Sequence, residues 1–368
     1  MPSILSDAFQ GYPVEPHHPM HVDFKSVKEL PESYVWAPQQ LEDNPSSGNF
    51  HGESVPVIDL HDPSAVKLIG HACKTWGVFQ ITNHGIPQEL LDEIECAARN
   101  LFSLPSQQKL AASRSPDGIS GYGVARISCF FPKLMWSEGF TIVGSPMEHA
   151  SRLWPHDPRT FCDTIEEYKK EMKGLAGRLM WLMLGSLGVT EEDIIWGSNN
   201  NNNGGLGDCS KVDDICDALQ LNHYPACPDP ERVMGLAAHT DSTLLTILHQ
   251  NNASGLQVQR EGDCWRTVPP LAGALVVNVG DLLHILSNGL YPSILHRVVV
   301  NRTNHRLSVA YLYGPPSRVE ISPLKKLIST AHPPLYRPIT WTEYLGTKAK
   351  HFNRALSSVR LCVPIQGL

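Results

Sequence analysis

Polar and apolar positions along this chain fall into two regimes. Between residues 161 and 189, Ile165, Tyr168, Met172, Leu175, Leu179 and Leu182 step by 3, 4, 3, 4 and 3, with Glu166, Glu167, Lys169 and Lys170 off that stripe. The spacing predicts one long amphipathic helix packed against a core. From about residue 217 the pattern changes to short apolar runs (ALQLNHY, LLTILHQ, LQVQR, ALVVNVG, LHRVVVN and LSVAYLY) separated by turn-forming residues. Strands at intervals of roughly 10 to 20 residues, with no helical period between them, predict an antiparallel sandwich or barrel.

The segments around these two are quieter. Residues 1–54 carry many prolines and polar side chains and read as an extended arm. VPVIDL at 55–60 and VFQIT at 78–82 read as strands around a helix-like stretch, AVKLIGHACKTWG. Pro87 opens a second helix with Leu91, Ile94, Ala98 and Leu101 on one face, and LPS at 104–106 closes it. That alternation predicts a small α/β lobe over 55–160. A helix with an Asn/Gly surface loop (GSNNNNNGGLG) follows over 161–207, then the β domain over 215–320. A helical segment over 321–368 completes the chain, with Thr340 as the N-cap of its helix.

Composition then removes several classes of function. The 368 residues include 30 basic and 37 acidic side chains, a formal charge of −7. Nucleic acid or an anionic membrane needs a basic face, and no Lys/Arg run supplies one. No stretch approaches 18 uninterrupted apolar residues, so no membrane span is expected. The nine cysteines include no Cys-x-x-Cys pair, which points to reduced thiols. With no basic-then-apolar leader pattern at the start, the expected setting is the cytoplasm, with the nucleus as a second compartment.

Seventeen histidines invite a metal hypothesis that chance must first discount. His-x-Asp/Glu occurs at His21, His51 and His239, and this composition yields nearly two such triplets at random. The first two lie in the arm, where no rigid element would hold ligands. His239 and Asp241 instead lead into a strand, and on extended backbone side chains two apart share a face. His296 opens another strand 55 residues after Asp241. Two imidazoles and a carboxylate form the facial set that binds non-haem Fe(II) with coordination positions left open, although zinc also accepts it. Ten residues beyond His296, Arg306 and Ser308 again share a strand face, a guanidinium fork and a hydroxyl suited to a carboxylate. The order of the three motifs is far more specific than any one of them.

On these residues the chain resembles the plant iron(II)- and 2-oxoglutarate-dependent dioxygenases. The resemblance runs from about 55 to 350 through WGVFQITNHGIP, LQLNHYPACPDP, GLAAHTDSTLLTIL, VVNVGDLLHILSNG, SILHRVVVN and RLSVAYLYGPP. GYGVARISCFFPKLMWSEGFTI at 121–142 and the opening MPSILSDAFQGYP are similar to the gibberellin 3-beta-dioxygenases within that family. The resemblance implies a mainly β fold with flanking helices, a double-stranded β-helix (jelly roll) with the metal at one mouth. It implies Fe(II) on His239, Asp241 and His296, and 2-oxoglutarate held by Arg306 and Ser308 with Tyr224 and Asn222 beside it. O2 would be the oxidant, ascorbate the reductant, and the reaction 3β-hydroxylation of a gibberellin (GA9 to GA4, GA20 to GA1) by a monomer. Tyr122, Arg126, Phe131, Lys133 and Trp136 are the expected substrate contacts, with Arg126 or Lys133 pairing the substrate carboxylate.

Other readings stay open at this level. A sister enzyme acting at another gibberellin carbon or on a flavonoid would carry the same metal and keto-acid residues. An oxidase using ascorbate in place of the keto acid, or a silent jelly roll that only binds a hormone, would also share the fold. For Trp136 and the Phe130–Phe131 pair, core packing competes with substrate contact.

Overall fold

The computed structural model describes residues 23–24, 27–41, 54–194, 215–260, 264–316 and 319–361. The Asn/Gly loop lies outside the described residues, as do most of residues 1–54. In chain order the strands are β1 Val57–Asp59, β2 Val78–Thr82, β3 Gly121–Gly123, β4 Glu138–Ile142 and β5 Ile215–Tyr224. They continue as β6 Leu236–His239, β7 Leu245–Gln250, β8 Leu256–Gln259, β9 Trp265–Thr267 and β10 Leu275–Val279. The last four are β11 His296–Val298, β12 Arg306–Pro316, β13 Glu320–Ile321 and β14 Ile339–Thr340.

Eight strands form one sheet in the order β1-β2-β10-β7-β12-β5-β4-β3, and four form a second, β6-β11-β8-β9. All pairings are antiparallel except β1 with β2. The two strands expected in the N-terminal lobe thus extend the edge of the large sheet. The long strands are apolar on one side and mixed on the other. Leu219 and Leu221 of β5, with Val309 and Tyr311 of β12, face a core shared with Ile165, Tyr168 and Leu179 of the helix Arg159–Gly185. The alternate positions turn the other way and line a cavity between the two sheets. Period-2 geometry therefore assigns packing to one face and chemistry to the other.

The long helix follows its predicted stripe from Ile165 to Leu179, all fully buried or nearly so. At the next turn Met183 is buried and Leu182 only partly. A strict 3-4 alternation averages 3.5 residues and drifts from the 3.6-residue turn, so a four-residue step restores the face. Thr340 caps the helix Trp341–His351 as expected, its hydroxyl accepting from the Glu343 N–H at 3.2 Å. That helix breaks earlier than the pattern suggested, at Phe352, whose φ is +47°.

The described part of the arm departs from an extended tail. It forms a turn at Glu32–Tyr34 and a short helix at Pro38–Leu41. Tyr34 and Trp36 are buried, and Phe24 and Tyr34 meet the Trp136 ring edge-on at centroid distances of 4.9 and 5.1 Å. Three aromatics spaced among the prolines suffice to dock it, since burying one large apolar side chain contributes about 1.5–3 kcal/mol.

Gly314 on β12 tests how tightly the C-terminal helix sits. A Cβ there would lie 2.0 Å from the Trp341 ring, itself buried and part of the cavity wall. Gly314→Ala is expected to destabilise the fold by about 1–3 kcal/mol through overpacking, read as a melting temperature lowered by several degrees. An unchanged transition would mean that the helix gives way freely.

Candidate active site

β11 pairs antiparallel with β6 so that His296 lies directly opposite His239. Asp241 follows two residues beyond His239, where the chain leaves the strand. One ligand atom from each of the three lies within 4.8 Å of the others. Asp241 Oδ1 is 3.6 Å from His296 Nε2 and 3.9 Å from His239 Nε2. No other described group of three His, Cys, Asp or Glu side chains converges in this way.

Surrounding groups orient this set. The Ala237 carbonyl lies 2.8 Å from His239 Nδ1 and accepts its proton, which leaves Nε2 with a lone pair toward Asp241. Burial, with His296 beside it, pushes the His239 imidazole down to about 3, so it is a neutral ligand at physiological pH. Asn278 on β10 donates to Asp241 Oδ2 at 3.4 Å. Two imidazoles and a carboxylate converging in this way fit a divalent first-row metal.

A second network braces the ligand loop from behind. The Asp281 N–H donates to the Asp241 carbonyl at 2.8 Å. The fully buried Asp281 carboxylate accepts at Oδ2 from the hydroxyls of Thr240 (3.0 Å) and Tyr344 (2.7 Å) and from Lys348 Nζ (2.7 Å). Thr240 sits between the two ligands, and Tyr344 and Lys348 belong to the helix Trp341–His351. The C-terminal helix is thereby tied to the loop that presents the carboxylate.

Deeper in the cavity, β12 and β5 place Arg306 opposite Tyr224 and Ser308 opposite Asn222. All four line the cavity. Arg306 is 1% exposed, yet no described carboxylate pairs with it. Its Nη2 donates to Gln250 Oε1 at 2.9 Å, its Nη1 approaches Ser308 Oγ at 3.4 Å, and its plane lies 5.1 Å from the Tyr224 ring centroid. Its Nε has no partner. A buried cation without a counter-charge is costly unless an anion completes it. The donor set fits the far carboxylate of a dicarboxylic keto acid.

The cavity holds about 260 Å³ and opens into an adjoining space of about 380 Å³. Ile119, Ile127, Ala218 and Leu312 border both, and Phe130, Trp341, Leu345 and Phe352 enclose the outer part. Of the expected substrate contacts only Arg126 lines this space. Tyr122 donates its hydroxyl to buried Glu138 at 2.6 Å, and Lys133 reaches Glu32 at the surface. Trp136 is fully buried beneath the arm and donates to the Pro225 carbonyl at 3.1 Å. Phe131 packs on Trp36 and Phe352, behind the wall. The turn Arg126–Phe130 causes the division, aiming Arg126, Ile127 and Phe130 inward and sending 131–136 toward the arm. Asn278, Gln250, Lys348 and Arg114, another lining residue, were not anticipated. Strand parity from Arg306 and His239 was a usable signal only once the strand neighbours were known.

Two family models match the chain: the 2OG-Fe(II) oxygenase superfamily over residues 215–315 and the non-haem dioxygenase in morphine synthesis N-terminal family over 55–159. Gibberellin 3-beta-dioxygenase 1 of Pisum sativum is 64% identical, the match covering 100% of this chain and 96% of that one. Gibberellin 3-beta-dioxygenase 1 of Arabidopsis thaliana is 56% identical over 98% of this chain and 99% of that one. Among solved structures, JOX2 in complex with 2OG, Fe and JA superimposes with a TM-score of 0.73 at 32% identity, covering 93% of this chain and 98% of that one. The rice dioxygenase for auxin oxidation gives a TM-score of 0.67 at 25% identity, over 84% of this chain and 100% of that one. Those likenesses share the jelly-roll framework that carries the converging histidines, carboxylate and buried arginine described above, and the chain belongs to the gibberellin 3-beta-dioxygenase family of the 2OG-Fe(II) oxygenase superfamily.

Proposed function

We propose that this chain hydroxylates the 3β position of a gibberellin precursor such as GA9 or GA20, yielding GA4 or GA1, with O2 and 2-oxoglutarate consumed and succinate and CO2 released. One observation carries the reading: a two-histidine, one-carboxylate set and a buried arginine without an acid partner share one apolar cavity. The relatives of 54–64% identity named for this activity support the choice of substrate.

His239, Asp241 and His296 would hold iron(II), which would supply the redox chemistry that activates O2. The chain's own part is placement. Arg306 and Ser308 grip the far carboxylate of 2-oxoglutarate, and Tyr224 offers its hydroxyl to the same group. Asn222 lies beside them. Ile127, Phe130, Leu312 and Phe352 form the apolar walls that seat a rigid ring system and exclude water. The Asp281 network keeps the ligand loop in register with the wall helix. Ascorbate as reductant, a monomeric state and a cytoplasmic setting belong to the same proposal. The net charge of −7 supports a small-molecule partner without nucleic acid or membrane contact, and among the described residues no helix is long and apolar enough to cross a membrane.

Incubation with GA9, Fe(II), ascorbate and 2-oxoglutarate, followed by product identification, tests the reading. The expected product is the 3β-alcohol. Hydroxylation only at carbon 2 or carbon 20 would contradict it.

A further inference from the structure

The charges lining the cavity do not balance. Arg114, Arg126 and Arg306 face it, against the single carboxylate of Asp241. Lys348, in the adjoining space, is neutralised by Asp281 at 2.7 Å. A divalent metal and doubly charged 2-oxoglutarate cancel each other, so the occupied cavity keeps three cations against one anion. Arg306 is the cation that grips the cosubstrate. Arg126 has the Asp117 carboxylate within electrostatic reach, so the cation without a described acid is Arg114, on the loop that leads into β3.

The loop positions both groups deliberately. Arg114 is bound to β3 through its N–H, which donates to the Tyr122 carbonyl at 2.9 Å, and Arg126 begins the turn just beyond that strand. The Arg114 guanidinium lies against Gly123, where a Cβ would come within 3.3 Å of Nη2. Its Nη2 donates to a neutral acceptor, the Val124 carbonyl, at 2.5 Å, and no described carboxylate pairs with it. Arg126 donates to the carbonyl of Gly118 and, at 3.4 Å, to that of Pro116. Burial, and then Arg126 beside it, pulls the Arg114 guanidinium down to about 10, the response of a mostly buried cation facing another cation. An anion in the cavity beside Arg114 would offset both its desolvation and its repulsion from Arg126.

We propose that Arg114, with Arg126 as its second arm, is the receptor for a carboxylate on the apolar substrate. The proposal rests on the cavity being the hydroxylase site and names the part of the substrate that site recognises. Arg114 is then a substrate-binding residue, and its charge selects acids over their neutral derivatives. A purely structural Arg114 would pin the loop through Val124 without regard to substrate charge.

The test compares a gibberellin acid with its methyl ester, using the Fe(II)- and 2-oxoglutarate-loaded native enzyme, Arg114→Gln and Arg114→Lys. The native enzyme is expected to prefer the acid in kcat/KM by about tenfold to a hundredfold, the range for hydrogen bonds to a charged group. Arg114→Gln, which keeps a donor for Val124, is expected to lose most of that preference while its KM for 2-oxoglutarate stays within about twofold of the native value. Arg114→Lys is expected to retain part of it. Equal use of acid and ester by the native enzyme, or an undiminished preference in Arg114→Gln, would overturn the proposal. If Arg114→Gln does not fold, the native comparison and Arg114→Lys decide alone. Where neither compound is turned over, the melting-temperature rise each produces replaces kinetics. A product oxidised away from carbon 3 counts against the proposed reaction, while the acid-to-ester ratio still decides the role of Arg114.

Discussion

Asp241→Ala is expected to lose bound metal on dialysis and to lower turnover by roughly three orders of magnitude or more. The reason is that one side chain supplies the only negative charge in the ligand set. His239 is held neutral by burial and by His296, so it brings a lone pair without charge. Removing the carboxylate leaves a dication facing two imidazoles and three arginines in the same cavity. A bound metal is worth several kcal/mol of charge stabilisation, and ~4 kcal/mol already corresponds to about a thousandfold in rate. Asn278 would also lose its acceptor. Metal content and turnover should fall together. A variant that keeps stoichiometric metal with near-native rate would show that Asp241 is not a ligand.

Arg306→Gln is expected to act on the cosubstrate and leave the metal site alone. Truncating one member of a buried, hydrogen-bonded charge pair costs about 2–5 kcal/mol, which places the rise in KM for 2-oxoglutarate between roughly thirtyfold and several thousandfold. Metal affinity should hold, because Arg306 touches Gln250, Ser308 and Tyr224 but none of the three ligands. Stability gives a second signature with opposite signs. Arg306 is 1% exposed without a described acid partner, so the ligand-free protein carries its desolvation cost uncompensated. The variant's melting temperature without 2-oxoglutarate should therefore match or exceed the native one. Native protein at a hundred times its dissociation constant for 2-oxoglutarate gains about 2.7 kcal/mol, and the variant should lose most of that gain. A variant destabilised without ligand but normal in its 2-oxoglutarate response would assign Arg306 a purely structural role.

Sequence spacing located the centre of this site because strand geometry is local. His239 with Asp241, and Arg306 with Ser308, share a face whatever the rest of the fold does, and the structure places each pair in the cavity. Asn222 and Tyr224 enter by the same parity on β5 and lie opposite Ser308 and Arg306. Residues fixed by strand order were not legible. Asn278 reaches Asp241 only because β10 pairs with β7, and Gln250 reaches Arg306 only because β7 also pairs with β12. The segment 121–142 shows a different limit. Its aromatic and basic composition pointed to substrate contact, but a turn of five residues sends Arg126 into the cavity and Lys133 and Trp136 away from it. Arg114 lies before the segment and emerges only when charges around the cavity are counted. In the arm, proline content suggested extension, while Phe24, Tyr34 and Trp36 supply the apolar surface that docks it.

The most direct measurement is the ratio of succinate formed to gibberellin hydroxylated in the Fe(II)-loaded native enzyme, run with and without 2-oxoglutarate. One succinate per 3β-hydroxylated product, and no product when the keto acid is omitted, is the expected result. Undiminished hydroxylation without 2-oxoglutarate would contradict the account, because Arg306 and Ser308 would then anchor nothing that the reaction needs.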